Sequence, residues 1–310
     1  MEAPPPPPCA SAAFMVRPAC FGFNEQTAVT NAFQQRGNGE TARAAQAEFD
    51  AMVAQLRNAG LQLCVVEDTA PPTCPDAVFP NNWVSLHADG TLVLYPMCTP
   101  NRRAERREPL LQQVMQQLGF CERRRLDLTA QERDGRYLEG TGSLVLDSVQ
   151  RVAYACRSPR TDEALVNQWC QLMDYEPLVF DAATPDGQAV YHTNVLLWIG
   201  ARLAGVGLDW IAVADRPRVL ARLQASGRDV LPLPQSALQA FAGNMLELRC
   251  GTAADAKRVL VASSQALARL PATLLQRLQA GTDQVCAVDI PLIETVGGGS
   301  VRCMLAEVPV

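Results

Sequence analysis

One supersecondary unit recurs along this chain: two short β-rich runs that pair as a hairpin, an amphipathic helix, and a third short strand. The clearest copy opens with Asn82-Trp83-Val84-Ser85-Leu86, turns at Ala88-Asp89-Gly90 and returns as Thr91-Leu92-Val93-Leu94-Tyr95. An Arg/Glu/Gln-rich helix then runs to Leu118 and stops at Gly119. The same order returns over residues 138–155 with a helix at 161–173, and over 192–206 with a helix near 216–225. A fourth copy spans 244–262, with a helix at 266–280 and a strand at 284–290. The chain start adds a helix over 41–58 and a strand over 61–66, while 301–308 is a lone strand at the other end. Those two pieces complete a fifth unit if the termini meet. The pattern therefore predicts an α/β fold whose repeats close into a ring.

Residues 4–8 are five prolines, a stiff polyproline stub. We read 1–12 as a disordered Pro-rich tail and 13–310 as a single catalytic domain. At 48% hydrophobic and 19% charged the chain can bury a core, and a net charge of −5 leaves no electrostatic footprint for nucleic acid or an anionic membrane. No apolar run approaches the roughly 20 residues that span a bilayer, and the N-terminus lacks the pattern of a signal peptide. These features point to a cytoplasmic protein whose partner is a small molecule, and they leave a homo-oligomer open. The eleven cysteines are scattered singly with no C-x-x-C pair, so neither a disulfide framework nor a zinc site fits, and reduced thiols are expected. With only two histidines, no metal site and no cofactor is implied.

The repeat also places the chemistry. Asn82, Glu139, His192 and Asn244 open the first hairpin strand of successive units, and equivalent positions in a ring face one axis. Cys303, at the start of the closing strand, joins them behind Gly297-Gly298-Gly299, where the absence of Cβ atoms lets a ligand approach closely. A thiol, an imidazole and a carboxylate in one cavity are the parts of covalent catalysis: nucleophile, acid and base, and orienting group. Cys303, His192 and Glu139 fit those roles. His87 sits beside a hairpin turn and reads as a surface residue.

Five segments carry a family resemblance: Asp76-Ala77-Val78-Phe79-Pro80-Asn81-Asn82, Leu138-Glu139-Gly140-Thr141-Gly142, Ser158-Pro159-Arg160-Thr161, His192-Thr193-Asn194 and the Gly-rich Cys303 run. In that order they resemble the guanidine-modifying superfamily of dimethylarginine dimethylaminohydrolases, arginine deiminases and amidinotransferases. The resemblance implies a pentein fold, a five-bladed α/β propeller of ββαβ repeats with pseudo-five-fold symmetry. It also implies Cys303 as nucleophile, His192 as proton donor and base, and Glu139 as the carboxylate between them and the substrate nitrogen.

The departures bear on substrate. Relatives that act on guanidinium groups grip the cation with carboxylates, whereas the matching positions here are Asn82 and Asn194, and Asn81 stands where some relatives carry Glu. An amide offers a donor, an acceptor and no charge, which suits a neutral ureido group. Together with Asn81-Asn82-Trp83 and Asn101-Arg102-Arg103-Ala104-Glu105-Arg106-Arg107, the pattern is most similar to the citrulline-utilisation hydrolases. That implies thiolate attack on the ureido carbon, departure of ornithine, and hydrolysis of a thiocarbamate to carbon dioxide and ammonia. A guanidine hydrolase, deiminase or amidinotransferase acting on arginine or its methylated forms is the alternative. The dimethylarginine-hydrolase pattern further implies Arg102 and Arg160 at the α-carboxylate and Asp76 at the α-ammonium; Phe79 and Asn244 are also candidates for the substrate site, Asn244 with the alternative of satisfying backbone groups at its hairpin. Arg102 lies in a basic run that otherwise reads as a solvated helix face. The Asn/Gln/Gly-rich stretch at 21–40 reads as flexible and leaves open a lid over the cavity.

Overall fold

The computed structural model describes residues 9–37, 40–251 and 255–310, and within them the strands form five three-stranded sheets. In the first, Ala12–Arg17 lies in the middle, parallel to Gln62–Glu67 and antiparallel to Ala306–Val308, with Phe14 opposite Ala306. Segments from both ends of the chain thus share a sheet. The second holds Val84–Leu86, Thr91–Leu94 and Arg124–Asp127, and the third holds Val145–Asp147, Val152–Cys156 and Glu176–Phe180. The fourth holds Leu197–Ile199, Leu203–Val206 and Asp229–Pro232, and the fifth Leu246–Cys250, Lys257–Ser263 and Gln284–Val288.

Each sheet pairs one antiparallel and one parallel neighbour with its middle strand. A parallel pair needs a crossover. Helices Thr41–Asn58, Glu108–Leu118, Glu163–Met173, Arg216–Ala225 and Ala272–Gly281 supply the five crossovers. Their ends follow from local chemistry. Gly119 adopts φ 72° and closes the second helix, and the Asp162 side chain accepts the Leu165 N–H at the start of the third. The middle strands are buried almost throughout, so Val152–Cys156 reads as an unbroken apolar run with no alternation.

Three expectations need correction here. The expected tail boundary falls inside the strand Ala12–Arg17, and Cys9 just before it is buried with its thiol donating to Glu247 Oε1 at 3.0 Å. Residues 1–8, with the prolines, lie outside the described residues. The helix expected over 266–280 is two pieces, Ser264–Ala268 and Ala272–Gly281, because Pro271 has no N–H to continue the first. The closing strand is only Ala306–Val308, since Val301–Met304 is a helical turn. No helix among the described residues is long and apolar enough to cross a membrane.

Candidate active site

A short turn precedes the first strand of each sheet: Pro80–Asn82, Gly140–Ser143, Thr193–Val195, residues 241–243, and Val301–Met304. The polar residues expected on the strands lie on or beside these turns. Asn82 ends the first, Glu139 and His192 precede theirs, Asn244 follows the fourth, and Cys303 lies inside the fifth. The turn Gly140–Ser143 packs on both Pro80–Asn82 and Thr193–Val195, and Val301–Met304 packs on Pro80–Asn82. Gly142 permits this crowding, since a Cβ there would lie 2.5 Å from Asn82 Nδ2 and 2.7 Å from His192 Nδ1.

Cys303, His192 and Asn82 line one small cavity with Asp76, Phe79, Arg102 and Arg160. Glu139 stands behind, its Oε2 2.8 Å from His192 Nε2. Burial opposes the charge on Glu139, but Arg160, His192 and Arg102 outweigh it and hold its carboxyl well below the ordinary range. Burial also pushes His192 below its ordinary value, against the pull of Glu139. The pair is therefore carboxylate and neutral imidazole at neutral pH. An ionised carboxylate only accepts, so Nε2 carries the proton and Nδ1 keeps the lone pair.

The Cys303 thiol receives two amide donors, Asn244 Nδ2 at 3.3 Å and Asn194 Nδ2 at 3.5 Å. Burial raises its pKa against the combined effect of Asn244, Ser300, Asn194 and Arg302, so the thiol is protonated at neutral pH. Asn194 does not replace an acid facing the ligand. It is buried behind the thiol, donating also to Thr141 O at 3.3 Å. Asn244 is likewise behind it, bridging Asn194 O and the Arg302 N–H. Asn81 is fully buried against Thr141 and does not line the cavity.

Asp76 and Arg160 meet across Thr27. Asp76 Oδ2 accepts from Thr27 Oγ1 and Asn24 Nδ2, and Arg160 donates to Thr27 O at 2.7 Å. Asp76 Oδ1 is buried without a hydrogen-bond partner. Arg102 is 2% exposed, which overturns the solvated-face reading of its basic run. Its bidentate edge is taken by Glu105, with Nε–Oε1 and Nη2–Oε2 both 2.9 Å, so that fork is closed to a substrate carboxylate. Arg103 and Arg106 pair with Glu132, and Arg107 with Asp68. The Phe79 ring packs where a Cβ on Gly297 or Gly299 would fall, within 3.0 Å of either.

Several contributors escaped the sequence reading. Glu105 sits one helical turn after Arg102, and that spacing is the signal that would have found it. Asn31 Nδ2 and Tyr191 Oη both donate to Gly298 O, and Gln34 Nε2 donates to Gly297 O. The 21–40 stretch thus reaches the Gly-rich run directly. His87 is not a free surface residue: it is half-buried, 2.8 Å from Ser85 Oγ, with its ring tilted 51° to that of Trp169 at 5.9 Å. It lines a separate cavity of about 590 Å³ that none of the expected site residues touches. The candidate site therefore rests on the convergence of functional groups and not on cavity size. No group of three or more His, Cys, Asp or Glu suited to a metal ion occurs among the described residues.

The model of the family "N,N dimethylarginine dimethylhydrolase, eukaryotic" matches residues 17–310. The chain belongs to this family. With the rest of that family it is a member of the guanidine-modifying superfamily. No curated protein sequence matches the chain significantly. Among solved structures it is similar to apo ArgZ, an arginine dihydrolase from the ornithine-ammonia cycle in cyanobacteria, at 16% identity and TM-score 0.72. That match covers 96% of this chain and 40% of ArgZ. The N-terminal domain of ArgZ, as an Asn-to-Ser variant covalently bonded to a reaction intermediate, matches at 15% identity and TM-score 0.72, covering 96% of this chain and 97% of that one. SxtG, an amidinotransferase from Microseira wollei in the saxitoxin biosynthetic pathway, matches at 13% identity and TM-score 0.70, covering 97% and 95%. At these identities the likeness speaks for the α/β fold of small mixed sheets.

Proposed function

We propose that this enzyme hydrolyses the ureido group of citrulline to ornithine, carbon dioxide and ammonia. One observation carries the choice of substrate: Asn82 lines the cavity, and its Nδ2 is buried without an acceptor. A buried donor left unmade is costly, and a ureido oxygen supplies what it lacks. Arg160 receives the α-carboxylate once its Nε and Nη2 are released by Thr30 Oγ1 and Thr27 O, and the free oxygen of Asp76 the α-ammonium, which is the charge pattern of an amino-acid backbone.

Cys303 gives its proton to His192 Nδ1 and attacks the ureido carbon, with the Asn194 and Asn244 amides steadying the thiolate. Asn82 holds the oxygen as it gains charge. The bond from that carbon to the ornithine nitrogen breaks as His192 returns the proton to the leaving amine. A thiocarbamate remains on Cys303. Water, deprotonated by His192, attacks its carbonyl, the C–S bond breaks, and the released carbamate falls to carbon dioxide and ammonia. Glu139 holds the imidazole in its working tautomer throughout.

We infer further that the five sheets are blades of a closed α/β propeller with pseudo-five-fold symmetry. In support, Ala306–Val308 packs on Val84–Leu86, Val145–Asp147 on Leu197–Ile199, Leu197–Ile199 on Leu246–Cys250, and Leu246–Cys250 on Ala12–Arg17. The eleven free cysteines favour a reducing, cytoplasmic setting.

A guanidine substrate is the second reading, favoured by the unpartnered Asp76 oxygen and by the arginine dihydrolase likeness. Acid quenching during turnover, followed by peptide mapping, separates the two. The ureido reading expects a carbamoyl group on Cys303 with citrulline, whereas an adduct formed only with arginine, an amidino group where ornithine leaves or a substrate-bearing thiouronium where ammonia leaves, would establish the other.

A further inference from the structure

An asparagine side chain has nearly the same shape with its oxygen and nitrogen exchanged, so its neighbours decide which end faces a ligand. At Asn82 the deciding neighbour is Arg102. Its Nη1 lies 2.7 Å from Asn82 Oδ1, and a guanidinium carries only donors, so Asn82 must turn its oxygen to Arg102. The nitrogen is thereby left for the cavity, where it is buried, unpartnered and close to His192 Nδ1 across Gly142. Arg102 is itself fixed. Both oxygens of Glu105 hold its Nε and Nη2, and Phe79 O accepts from Nη2 at 3.0 Å. Burial opposes the charge on Arg102, but Glu105 outweighs it. The whole relay is at most 3% exposed.

We propose that Glu105, acting through Arg102, sets the direction of the Asn82 amide and so makes the site select a carbonyl-bearing neutral group over a guanidinium. Glu105 and Arg102 are positioning residues for specificity, and the inference rests on the ureido reading above. Every nitrogen of a guanidinium is a donor, so at this position it would set donors against the Asn82 N–H groups. One unmade buried donor corresponds to discrimination of roughly 10- to 100-fold.

The test compares kcat/KM for citrulline and for arginine in the parent enzyme and in Arg102→Lys, Arg102→Gln, Glu105→Gln and Asn82→Asp. Lysine is also donor-only and keeps Asn82 oriented, whereas glutamine can face it with either end and frees the amide to turn. The expected result is a citrulline-to-arginine ratio kept within about threefold in Arg102→Lys and lowered about tenfold in Arg102→Gln and Glu105→Gln. In Asn82→Asp, which offers only acceptors, the preference inverts. A general loss of structure would lower both activities and leave their ratio in place. Melting curves identify any variant that fails to fold, and Glu105→Gln with Asn82→Asp then carries the comparison. If the parent consumes citrulline yet neither variant changes the ratio, the orientation inference is overturned and the ureido reading stands. If the parent consumes arginine and leaves citrulline untouched, both fall.

Discussion

Glu139 and His192 share one response to acid, and it is a property of single residues. Each is held below its ordinary pKa in the folded protein, against reference values of 4.5 and 6.5. The unfolded chain takes up those protons at the ordinary values. Stability therefore falls as pH drops below about 6.5, and falls again below about 4.5, because the unfolded state binds more protons there. Circular-dichroism melts from pH 7 to pH 4 should show this decline, with a shallower slope in the Glu139→Gln, His192→Asn double variant. Equal slopes would remove the pair from the account. Cys303→Ala should lose at least about a thousandfold in kcat. Its melting temperature should stay close to that of the parent, because the change removes one buried sulfur from an otherwise intact turn. Gly142→Ala should be similarly damaging to turnover, since its Cβ would enter the space of both Asn82 Nδ2 and His192 Nδ1. That Cys303, His192 and Glu139 come together was legible in the sequence. The directions of the asparagines were not, because Arg102, Thr141 and the thiol that orient them come from other turns.

Among elements, the segment containing the helix Glu25–Ala28 closes over the site, through Asn24 and Thr27 on Asp76 and Asn31 on Gly298. The cavity beneath holds about 10 Å³, room for a single water and far too little for an amino acid. An amino acid entering this cavity would require the segment to move, and an opening lid is the expected outcome. Amides at 24–35 should exchange with deuterium faster than those of Val152–Cys156 in the free enzyme, and should slow when citrulline binds the Cys303→Ala protein. Protection already equal to that of the central strand in the free enzyme would contradict an opening lid. Sequence patterning served the elements unevenly. The helix Thr41–Asn58 was legible at both ends. The strand Ala12–Arg17 was not, because AAFMVR is a short apolar run beside a proline stub, and its antiparallel partner Ala306–Val308 lies at the far end of the chain. The basic run at 102–107 misled for a related reason, as its acidic partners Asp68 and Glu132 are supplied by the fold.

For the whole molecule, joining the two ends of the chain in one sheet brings Cys303 beside residues more than 100 positions earlier. The first sheet also meets the second through Phe14 and Trp83, whose rings stand 6.3 Å apart edge to face. Phe14 is fully buried, so Phe14→Ala should cost about 3–5 kcal/mol in urea unfolding. A cost within the range of a surface substitution would show that this junction contributes little to the fold. The recurring unit made five sheets legible, but the direction in which each polar group points depended on contacts between units. Substrate identity is the central claim, and turnover tests it most directly. Purified enzyme is given citrulline, arginine and a methylated arginine separately, and products are identified by mass. The account predicts ornithine and ammonia from citrulline at the highest kcat/KM of the three, and consumption of the guanidines alone, with citrulline untouched, would contradict it.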